Sequence, residues 1–430
     1  MAWNPRLDSC AVILDAAMLF AEIGDRPKNE NEIISKFAAH FIGKEDEARK
    51  DARNILAFLK AQKLIAVYDE CRNVDESRKK KKESINIEEI ECSDENSIVE
   101  DFCARHNILS ELHIDLTNVC TERCVHCYVP QKRRDFLPYA MVEKALHEFR
   151  AMNGLTVHLT GGEAMLHRDF ERICRLCVRL NLNFLVFSNL TLCDDRRISF
   201  LKEADPQFIN VSLYSMKAAE HDAITCLPGS WQKTMDAILA CEKAGVHIRL
   251  ATPLLKSNRS AIPALKTFAD MHRMHLIPNC DIVPRADHTC SNLSYACSAT
   301  ELHSVLSLNK QLFDRGWNGS MPNREDKICE IGTTRLYLNA KGYYYPCDCM
   351  HEYVLGSVRS NTLQEVWRGE KMNYLRMLKN KDFSTCLHCE HRPWCKVCPA
   401  FNFNATGDLF QTIPEKCALG AVVHEVYGGT

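Results

Sequence analysis

The sequence predicts an α/β protein in three parts: a partial (β/α)6 TIM-like barrel, a small helical unit before it and a cysteine-rich unit after it. Three observations lead to this prediction. Between residues 108 and 310, short apolar runs alternate with amphipathic helical stretches. Residues 1–70 have helical periodicity and end in a short apolar run. After residue 311 the periodicity fades and cysteines crowd together, as in a domain organised by metal.

Residues 1–70 predict a winged-helix domain, with two helices followed by a strand. Ile33, Ile34, Phe37 and Ala38 lie on one helical face, and a second apolar stripe covers residues 52–59. Residues 64–68 form the predicted strand. Residues 71–107 predict a charged linker that contains a candidate strand at 84–90, and we interpret its basic run at 78–82 as solvated linker rather than a binding patch.

Residues 108–310 contain six candidate strands with helices between them. Strands that alternate with crossover helices form a parallel sheet, and six such units make a partial barrel that is open on one side. Ligands of parallel sheets bind at the carboxyl ends of the strands. The candidate strands are 111–116, 156–160, 184–188, 208–213, 246–251 and 276–283, and the candidate helices are 139–152, 169–180, 231–244 and 260–272.

The composition is that of a globular protein and gives no sign of a nucleic-acid or membrane partner. Apolar residues make up 46% of the chain, charged residues 26%, and the formal net charge is −2. No run approaches the roughly 20 apolar residues of a membrane span. The apolar stretch 11–23 contains Asp15 and Glu22, unlike a signal peptide. We therefore expect a cytoplasmic protein that binds neither nucleic acid nor membrane.

The chain has 23 cysteines, an unusual number for a protein of this size. Because thiols stay reduced in the cytosol, clustered cysteines there indicate metal binding or catalysis. Scattered cysteines such as Cys226 and Cys241 are expected to be small core residues. We favour the same interpretation for Cys174 and Cys177, which form a Cys-x2-Cys pair inside a predicted helix without a second pair nearby.

The most specific motif is Cys120-x3-Cys124-x2-Cys127, which follows the first candidate strand. Three thiolates close in sequence can hold one face of a [4Fe–4S] cluster, and the fourth iron then stays open to an external ligand. Zinc is the alternative, since structural zinc sites also use closely spaced cysteines. Zinc would need a fourth ligand, for which His126 is nearest, and it would leave the barrel unexplained.

This loop resembles the cluster-binding motif of the radical S-adenosylmethionine (SAM) superfamily, down to the aromatic Tyr128 after its third cysteine. The resemblance implies that Cys120, Cys124 and Cys127 bind a [4Fe–4S] cluster whose open iron chelates SAM. In that family, reductive cleavage of SAM yields a 5′-deoxyadenosyl radical that abstracts hydrogen from the substrate, while the protein positions the reactants and excludes water from the site.

The same resemblance implies a set of SAM-binding residues at the ends of the candidate strands. The Gly-Gly-Glu segment would be only a turn if it stood alone, and its glycines allow close approach of the backbone to a ligand. Ser212 and Arg249 are explained equally well as satisfied polar groups. The implied SAM-binding residues are Tyr128, Gly161, Gly162, Glu163, Ser188, Asn189, Ser212 and Arg249.

Residues 311–430 carry a second cysteine pattern. It consists of Cys-x12-Gly-x4-Cys from residue 329, Cys-x2-Cys-x5-Cys-x2-Cys from residue 386, and a later Cys417. The pattern resembles the SPASM domain, which carries two auxiliary [4Fe–4S] clusters in many peptide-modifying radical SAM enzymes. It departs from that domain at residues 396–397, where two residues stand in place of the usual three. A pair of zinc ribbons is the alternative.

The two resemblances together imply three [4Fe–4S] clusters and bound SAM. The proximal auxiliary cluster would use Cys329, Cys347 and Cys398, with either Cys349 or an open position for a substrate thiol as its fourth site. The distal auxiliary cluster would be held by Cys386, Cys389, Cys395 and Cys417.

The order of helix, helix and strand in residues 1–70 resembles the peptide-recognition element of maturases of ribosomally made peptides. That element is a winged helix that binds a leader peptide as an added β-strand. It usually opens with a β-hairpin, but only nine residues precede Cys10 here. Residues 64–68 or 84–90 are alternative receiving strands, and a winged helix that only packs on the barrel is the other interpretation.

These resemblances imply a radical SAM/SPASM peptide maturase of the sactipeptide or ranthipeptide type, which joins a cysteine thiol to a carbon as a thioether. The expected partners are a ribosomal precursor peptide, with leader and core, and an electron donor such as flavodoxin or ferredoxin. The alternatives are another peptide cross-link, oxidation of a protein side chain, and a non-catalytic metal-binding scaffold. No catalytic acid or base stands out, and Asp281, Arg285 and Tyr214 are candidates for the barrel mouth only by their position at strand ends.

Overall fold

A computed structural model describes most of the chain after residue 106 and short pieces before it. The chain divides into two compact units, Met1–His106 and Asn107–Thr430. None of the helices that the structure describes is long and apolar enough to cross a lipid bilayer. The described residues are 2–4, 9–11, 29–38, 46, 49–50, 52–53, 56, 103–104, 107–129, 134–314, 317, 319–350 and 352–428.

The N-terminal unit opens with an antiparallel strand pair, β1 (Ala2–Asn4) and β2 (Ser9–Ala11), in which Trp3 lies opposite Cys10. The nine residues that precede Cys10, although few for a β-hairpin, are thus enough to form one with it. Helix α1 (Glu30–Ala38) follows, and its apolar face is buried through Ile33 and Ile34. The predicted strands at 64–68 and 84–90 and most of the second predicted helix lie outside the described residues.

Six parallel strands form the barrel sheet, in the order of the chain, and confirm the predicted α/β class. Each strand is followed by at least one helix or helical turn that returns the chain to the start of the next strand. The strands are β3 (Glu111–Thr117), β4 (Thr156–Gly161), β5 (Asn183–Ser188), β6 (Ile209–Ser212), β7 (Ile248–Pro253) and β8 (His275–Asn279). The helices are α2 (Tyr139–Ala151), α3 (Phe170–Arg179), α4 (Asp195–Ala204), α5 (Ala218–Thr225), α6 (Ser230–Ala244) and α7 (Ile262–Met271).

Alternation along β3 separates an apolar face from a polar one. Leu112 and Ile114 are fully buried in the main core, which the sheet forms with its helices. Glu111, His113 and Asp115 point to the opposite face, because successive side chains of a strand alternate. The polar face of β3 and β4 therefore lines the inside of the barrel.

Three further strands, which were not predicted, extend the sheet beyond β3. Strand β9 (Arg335–Leu338) pairs in parallel with β3, while β10 (Tyr343–Tyr345) and β11 (Gly356–Ser357) continue antiparallel. The β9–β10 turn ends at Gly342, which has a φ of +85° and is the glycine of the second cysteine pattern. This turn brings the cysteine-rich region to the side of the strand that precedes Cys120.

The remaining helices belong to the cysteine-rich region and the segment that leads to it. They are α8 (Ala299–Leu308), α9 (Lys310–Phe313), α10 (Leu363–Arg368), α11 (Glu370–Arg376), α12 (Ser384–Leu387), α13 (Pro399–Thr406) and α14 (Pro414–Tyr427). Short 3-10 turns occur at Ala164–Leu166, Ser291–Tyr295, Asn380–Asp382 and Arg392–Trp394.

Some local expectations were wrong. Strand β8 ends at Asn279 rather than at residue 283, and helices α4 and α5 lie where no helix was predicted. Cys174 and Cys177 are core residues as predicted, and Cys241 is buried as well. Cys226, by contrast, is exposed at the carboxyl end of α5, in a left-handed conformation that ends the helix.

Candidate functional site

The loop from Cys120 to Cys127, here the radical SAM loop, lies at the carboxyl end of β3. Its backbone is pinned to the end of α5, because Arg123 N–H donates to the carbonyl of Thr225 at 2.8 Å and Val125 N–H donates to that of Ile224 at 3.0 Å. Helix α5, which the sequence did not predict, is therefore what holds the middle of the loop in place.

Side chains from neighbouring strand ends contact the loop's thiols. Asn189, directly after β5, donates to Cys120 Sγ at 3.8 Å and to Thr121 Oγ1 at 2.8 Å. Tyr214, two residues after β6, donates its hydroxyl to Cys124 Sγ at 3.6 Å. Thr121, through Asn189, and Tyr214 thus link the loop to the ends of β5 and β6. The position of Tyr214 near a strand end had made it a candidate in the sequence, whereas nothing in the sequence indicated Thr121.

The electrostatics of the loop suit a cationic iron cluster. Burial, followed by the Glu122 carboxylate, raises the pKa of the Cys124 thiol well above its usual value, and the nearby Cys127 and Cys120 add to the effect. The three thiols are thus close enough for their charges to interact. Thiolates in such a setting need positive charge close by, which the iron ions of a cluster supply. The donor set fits a [4Fe–4S] cluster.

The two glycines of the Gly-Gly-Glu segment lie against the chain's own backbone. A Cβ at Gly161, whose φ is +125°, would stand 2.2 Å from the carbonyl oxygen of Thr117. A Cβ at Gly162 would stand 2.2 Å from the carbonyl oxygen of Val119. Gly162 N–H also donates to Thr117 at 2.7 Å. The glycines therefore position the start of the radical SAM loop, in addition to lining the cavity described below.

Glu163 is fully buried, and both of its carboxylate oxygens accept hydrogen bonds from within the chain. Ser188 Oγ lies 2.9 and 3.0 Å from the two oxygens, while Asn189 N–H and Met165 N–H donate at 2.8 and 3.0 Å. Burial raises the pKa of Glu163, and these hydrogen bonds oppose the rise. Glu163 thus acts on the site by orienting Ser188 and Asn189, and Asn189 in turn contacts Cys120.

The other predicted SAM-binding residues divide between the mouth of the barrel and its far end. Tyr128 lines the cavity at the mouth, and Ser212 lies at the end of β6, close enough to Tyr214 to act on the pKa of its hydroxyl. Arg249 is the second residue of β7, and its guanidinium stacks 3.5 Å from the centre of the Phe208 ring at the opposite end of the sheet. The structure does not bring Arg249 to the cysteine loop.

A cavity of about 370 Å³ lies between the barrel mouth and the β9–β10 turn. Tyr128 and the two glycines line its inner side, and Lys341 and Tyr343 of the turn line its outer side. The lining includes the carboxylates of Asp115, Asp287 and Glu352. Asp115 accepts a hydrogen bond from Tyr345 at 2.7 Å, which ties β10 to the barrel.

The predicted proximal ligands come together beside this cavity with Cys349; Cys329, Cys347, Cys349 and Cys398 are here the proximal set. Cys347 and Cys349 each donate to Asp348 Oδ1, at 3.2 and 3.3 Å. The charges of Cys329 and Cys349 both interact with those of Cys347 and Cys398. Burial raises the pKa of Cys398 to about 11, so this set also needs metal ions to ionise its thiols.

A second group, here the distal set, consists of Cys386, Cys389, Cys395 and Cys417. The charge of Cys386 interacts with those of the other three, and all four line one cleft. Helix α14 packs closely on this set, because a Cβ at Gly420 would stand 3.0 Å from Cys395 Sγ. Both sets supply four thiols at one place, as a [4Fe–4S] cluster requires.

A group of titratable side chains lies inside the barrel at its other end. Glu111 Oε2 lies 3.6 Å from His113 Nε2, 3.3 Å from His158 Nε2 and 2.9 Å from Arg335 Nε. The two imidazole rings stack with their centres 3.8 Å apart. Because the Arg335 guanidinium shares the same carboxylate oxygen, we interpret the group as an ion-pair network rather than a metal site.

The fold and these cysteine groups define a SAM-dependent iron–sulfur enzyme, and comparisons with known families agree. Residues 114–268 match the radical SAM superfamily, and residues 329–390 match SPASM, an iron–sulfur cluster-binding domain. The chain therefore carries a radical SAM domain and a SPASM domain and is a radical SAM enzyme. The first domain implies one [4Fe–4S] cluster and SAM, and the second implies additional clusters.

Among curated relatives, the AdoMet-dependent heme synthase of Methanosarcina barkeri is 24% identical over 335 residues, which are 70% of this chain and 94% of the relative. The GTP 3′,8-cyclase of Aquifex aeolicus is 23% identical over 298 residues, which are 62% and 91% of the two chains. These relatives are enzymes with different substrates.

Two solved structures share the fold. Native anSMEcpe with bound AdoMet and a peptide superposes with a TM-score of 0.59 at 17% identity, covering 74% of this chain and 96% of that one. Streptococcus suis SuiB bound to precursor peptide SuiA superposes with a TM-score of 0.58 at 15% identity, covering 91% of this chain and 94% of that one.

Proposed function

We propose that this protein is a maturase that installs a cross-link in a ribosomally synthesised peptide, most specifically a thioether between a cysteine thiol and a carbon. The observation that carries the proposal is the cavity between the radical SAM loop and the proximal set. Tyr128 lines this cavity, and its pKa is raised first by burial, then by the carboxylates of Asp348 and Asp115, and also by the nearby thiols of Cys349 in the proximal set and Cys127 in the radical SAM loop. A peptide that enters this cavity lies between a source of radicals and an electron acceptor.

The cluster ligands follow the three groups of thiols. Cys120, Cys124 and Cys127 would hold the radical SAM cluster, the proximal set one auxiliary cluster and the distal set the other. We assign Cys349 as the fourth proximal ligand, because its thiol and that of Cys347 both donate to Asp348 Oδ1 and it also interacts with Cys398. Changing Cys349→Ala should then lower the iron content of the reconstituted enzyme by up to about four per chain. An unchanged iron content would instead favour an open site for a substrate thiol.

The chain's own residues bind and orient the reactants. Gly161 and Gly162, which line the cavity, let its wall approach the radical SAM loop, and Glu163 fixes Ser188 and Asn189 at the end of β5. When bound, the cluster and SAM supply a 5′-deoxyadenosyl radical that takes one hydrogen atom from the peptide. Thioether formation would then release one proton from the thiol and one electron, which a cluster held by the proximal set would accept, so the peptide would lose two hydrogens in all.

The N-terminal unit favours a substrate with a leader peptide. The SuiB superposition covers 91% of this chain, whereas anSMEcpe covers 74%, close to the share of residues 107–430. The likeness to SuiB thus extends into the N-terminal unit. Among the described residues, β1 and β2 pair only with each other, and a leader that adds a strand to such a pair gains affinity through backbone hydrogen bonds.

The test is incubation of the reconstituted, reduced enzyme with the precursor peptide encoded beside its gene. We expect peptide-dependent formation of 5′-deoxyadenosine and a peptide that is about 2 Da lighter, with one cysteine no longer alkylatable. Loss of two hydrogens with every cysteine still alkylatable would point to a carbon–carbon link or to side-chain oxidation. No change in the peptide, with no 5′-deoxyadenosine, would refute the proposal.

A second candidate is a tetrapyrrole-modifying enzyme, which the heme-synthase relatives favour. Hemes and their precursors carry carboxylate side chains, and three carboxylates line the cavity, namely Asp115, Asp287 and Glu352. Like charges in one site repel each other, and Lys341, the single cation among the described lining residues, offsets only part of this acidic charge, so the lining disfavours such a substrate. Adding an iron porphyrin in place of the peptide should yield neither 5′-deoxyadenosine nor a spectral change; a porphyrin that loses mass would reverse this choice.

A further inference from the structure

Lys416 carries a buried positive charge in the first turn of α14, beside Cys417. Its Nζ lies 2.5 Å from Asp281 Oδ1, and only 11% of its side chain is exposed. The ammonium also lies 5.4 Å from the centre of the Phe401 ring. Asp281 follows β8, so this ion pair joins the barrel to the last helix of the cysteine-rich region.

The charge of Lys416 lies between the two sets of cysteines. Lys416 lines the same cleft as Cys395, Cys398 and Cys417. Its charge interacts with that of Cys398 in the proximal set and with that of Cys395 in the distal set. One buried cation therefore acts on both candidate cluster sites.

A second buried cation belongs to the distal set alone. Arg392 is 8% exposed, and its guanidinium donates to the carbonyl oxygen of Cys395 and to Asn380 Oδ1. Its charge interacts with those of Cys395, Cys386 and Cys389. The distal set is thus flanked by Lys416 and Arg392.

Carboxylates surround the proximal set instead. Asp348 accepts hydrogen bonds from Cys347 and Cys349. The charge of Glu330 acts on Cys329, and that of Asp281 acts on Cys398, where it offsets part of the effect of Lys416. The two sets therefore differ in the sign of the charge around them.

A buried cation stabilises the reduced, more negative form of an iron–sulfur cluster and so raises its reduction potential. We propose that Arg392, which acts on the distal set alone, together with the carboxylates around the proximal set, holds the reduction potential of the distal auxiliary cluster above that of the proximal one, while Lys416 raises both. The proposal rests on the ligand sets of the proposed function. The single electron released from the peptide then passes from the proximal to the distal site and leaves to an oxidised flavodoxin- or ferredoxin-type carrier.

The test is a redox titration, followed by electron paramagnetic resonance, of full-length protein in which Cys120, Cys124 and Cys127 are all alanine, so that only auxiliary clusters contribute. The distal midpoint is the one lost in the Cys386→Ala variant. In the parent, the distal midpoint should be the higher one. Arg392→Met should lower the distal midpoint alone by about 59 mV, a tenfold change for a one-electron couple, whereas Lys416→Met should lower both midpoints and Lys416→Arg should restore them.

Lys396→Met is the matched control, because it removes the same charge from the same cysteine run at an exposed position. Solvent screens exposed charges, so Lys396→Met should shift the distal midpoint by less than about 28 mV, which corresponds to a threefold change for a one-electron couple. Asp281→Asn keeps Lys416 and removes the offsetting carboxylate, so it should raise the proximal midpoint. Lys416→Met and Asp281→Asn should therefore shift the proximal midpoint in opposite directions, because the two residues act with opposite sign on Cys398. A disturbance of packing has no reason to change sign with the residue removed.

Two outcomes would overturn the inference: a proximal midpoint above the distal one in the parent, or a Lys416→Met protein with about eight irons per chain and unchanged midpoints. If Lys416→Met loses a cluster, the Asp281→Asn titration decides, and an unchanged proximal midpoint there refutes the inference. Failure of the ligand sets is distinguished by iron analysis, since Cys386→Ala and Cys347→Ala should each remove about four irons.

Discussion

At the scale of single residues, two glycines and one buried carboxylate set the geometry of the radical SAM site. Gly161 and Gly162 touch the backbone of residues 117–119, and Glu163 ties the end of β5 to the same place. The Gly-Gly-Glu motif could be found in the sequence as a candidate SAM contact. The packing of this motif against the radical SAM loop could not be predicted, because it depends on which backbone segment lies opposite the two glycines in the fold.

Gly161→Ala should displace the radical SAM loop. The added Cβ would meet Thr117 O at 2.2 Å, and the backbone at φ +125° disfavours any side chain. We expect the reconstituted variant to lose up to about four irons per chain. Gly245→Ala is the control, because Gly245 also has a positive φ, +79°, but its Cβ would meet nothing within 4 Å. Equal iron contents in the two variants would argue against this role.

Glu163→Gln should weaken SAM binding without emptying the cluster site. The amide keeps the shape but replaces charged hydrogen bonds to Ser188 and Asn189 with weaker ones. We expect the Kd for SAM to rise about tenfold, which corresponds to about 1.4 kcal/mol, at unchanged iron content. Glu203→Gln, on the exposed side of α4, serves as the control. A Kd equal to that of the parent would contradict the role of Glu163.

At the scale of elements, the barrel strands were predictable and their neighbours were not. Apolar runs and alternation located β3 to β7, since both patterns are local. Helix α4 was missed because its exposed face is strongly charged, although Ile198 and Leu201 are buried. The pairing of β9 with β3 joins residues that are more than 200 positions apart, and no local pattern records such a contact.

The histidines on the inner face of β3 and β4 predict a pH dependence of stability. Burial, and then the charge of His113, lowers the pKa of His158 to about 4. Unfolded histidine has a pKa near 6.5, so between these values the unfolded chain binds a proton that the folded one does not, and stability falls with falling pH. We expect Tm to drop less between pH 7 and pH 5 in His158→Gln than in the parent. Parallel Tm curves would refute this assignment.

At the scale of the whole molecule, the proposed activity needs the N-terminal unit only to recruit substrate. The residues that line the cavity belong to the barrel, to the segment that follows it and to the SPASM region, all within residues 107–430. The sequence could predict three parts from composition and cysteine spacing. It could not predict the cavity, because the β9–β10 turn that closes it reaches the barrel only through long-range strand pairing.

A precursor peptide without its leader should therefore be modified slowly but to the same product. Loss of the docking strand removes backbone hydrogen bonds and raises KM by about 100-fold, while kcat changes little, because the reacting atoms lie elsewhere. Steady-state kinetics on the full-length enzyme with intact and leaderless peptide measure this directly. An equal KM for both peptides would show that the N-terminal unit does not bind the leader.

We propose that the radical formed at the cysteine loop abstracts a hydrogen atom from a peptide. The most direct test of this proposal is a precursor peptide carrying deuterium on the carbons of its core, incubated with unlabelled SAM and reduced enzyme. If the radical acts on the peptide, we expect 5′-deoxyadenosine that is one mass unit heavier and that forms at the same rate as the modified peptide. Formation of 5′-deoxyadenosine without deuterium, at the same rate with or without peptide, would contradict it.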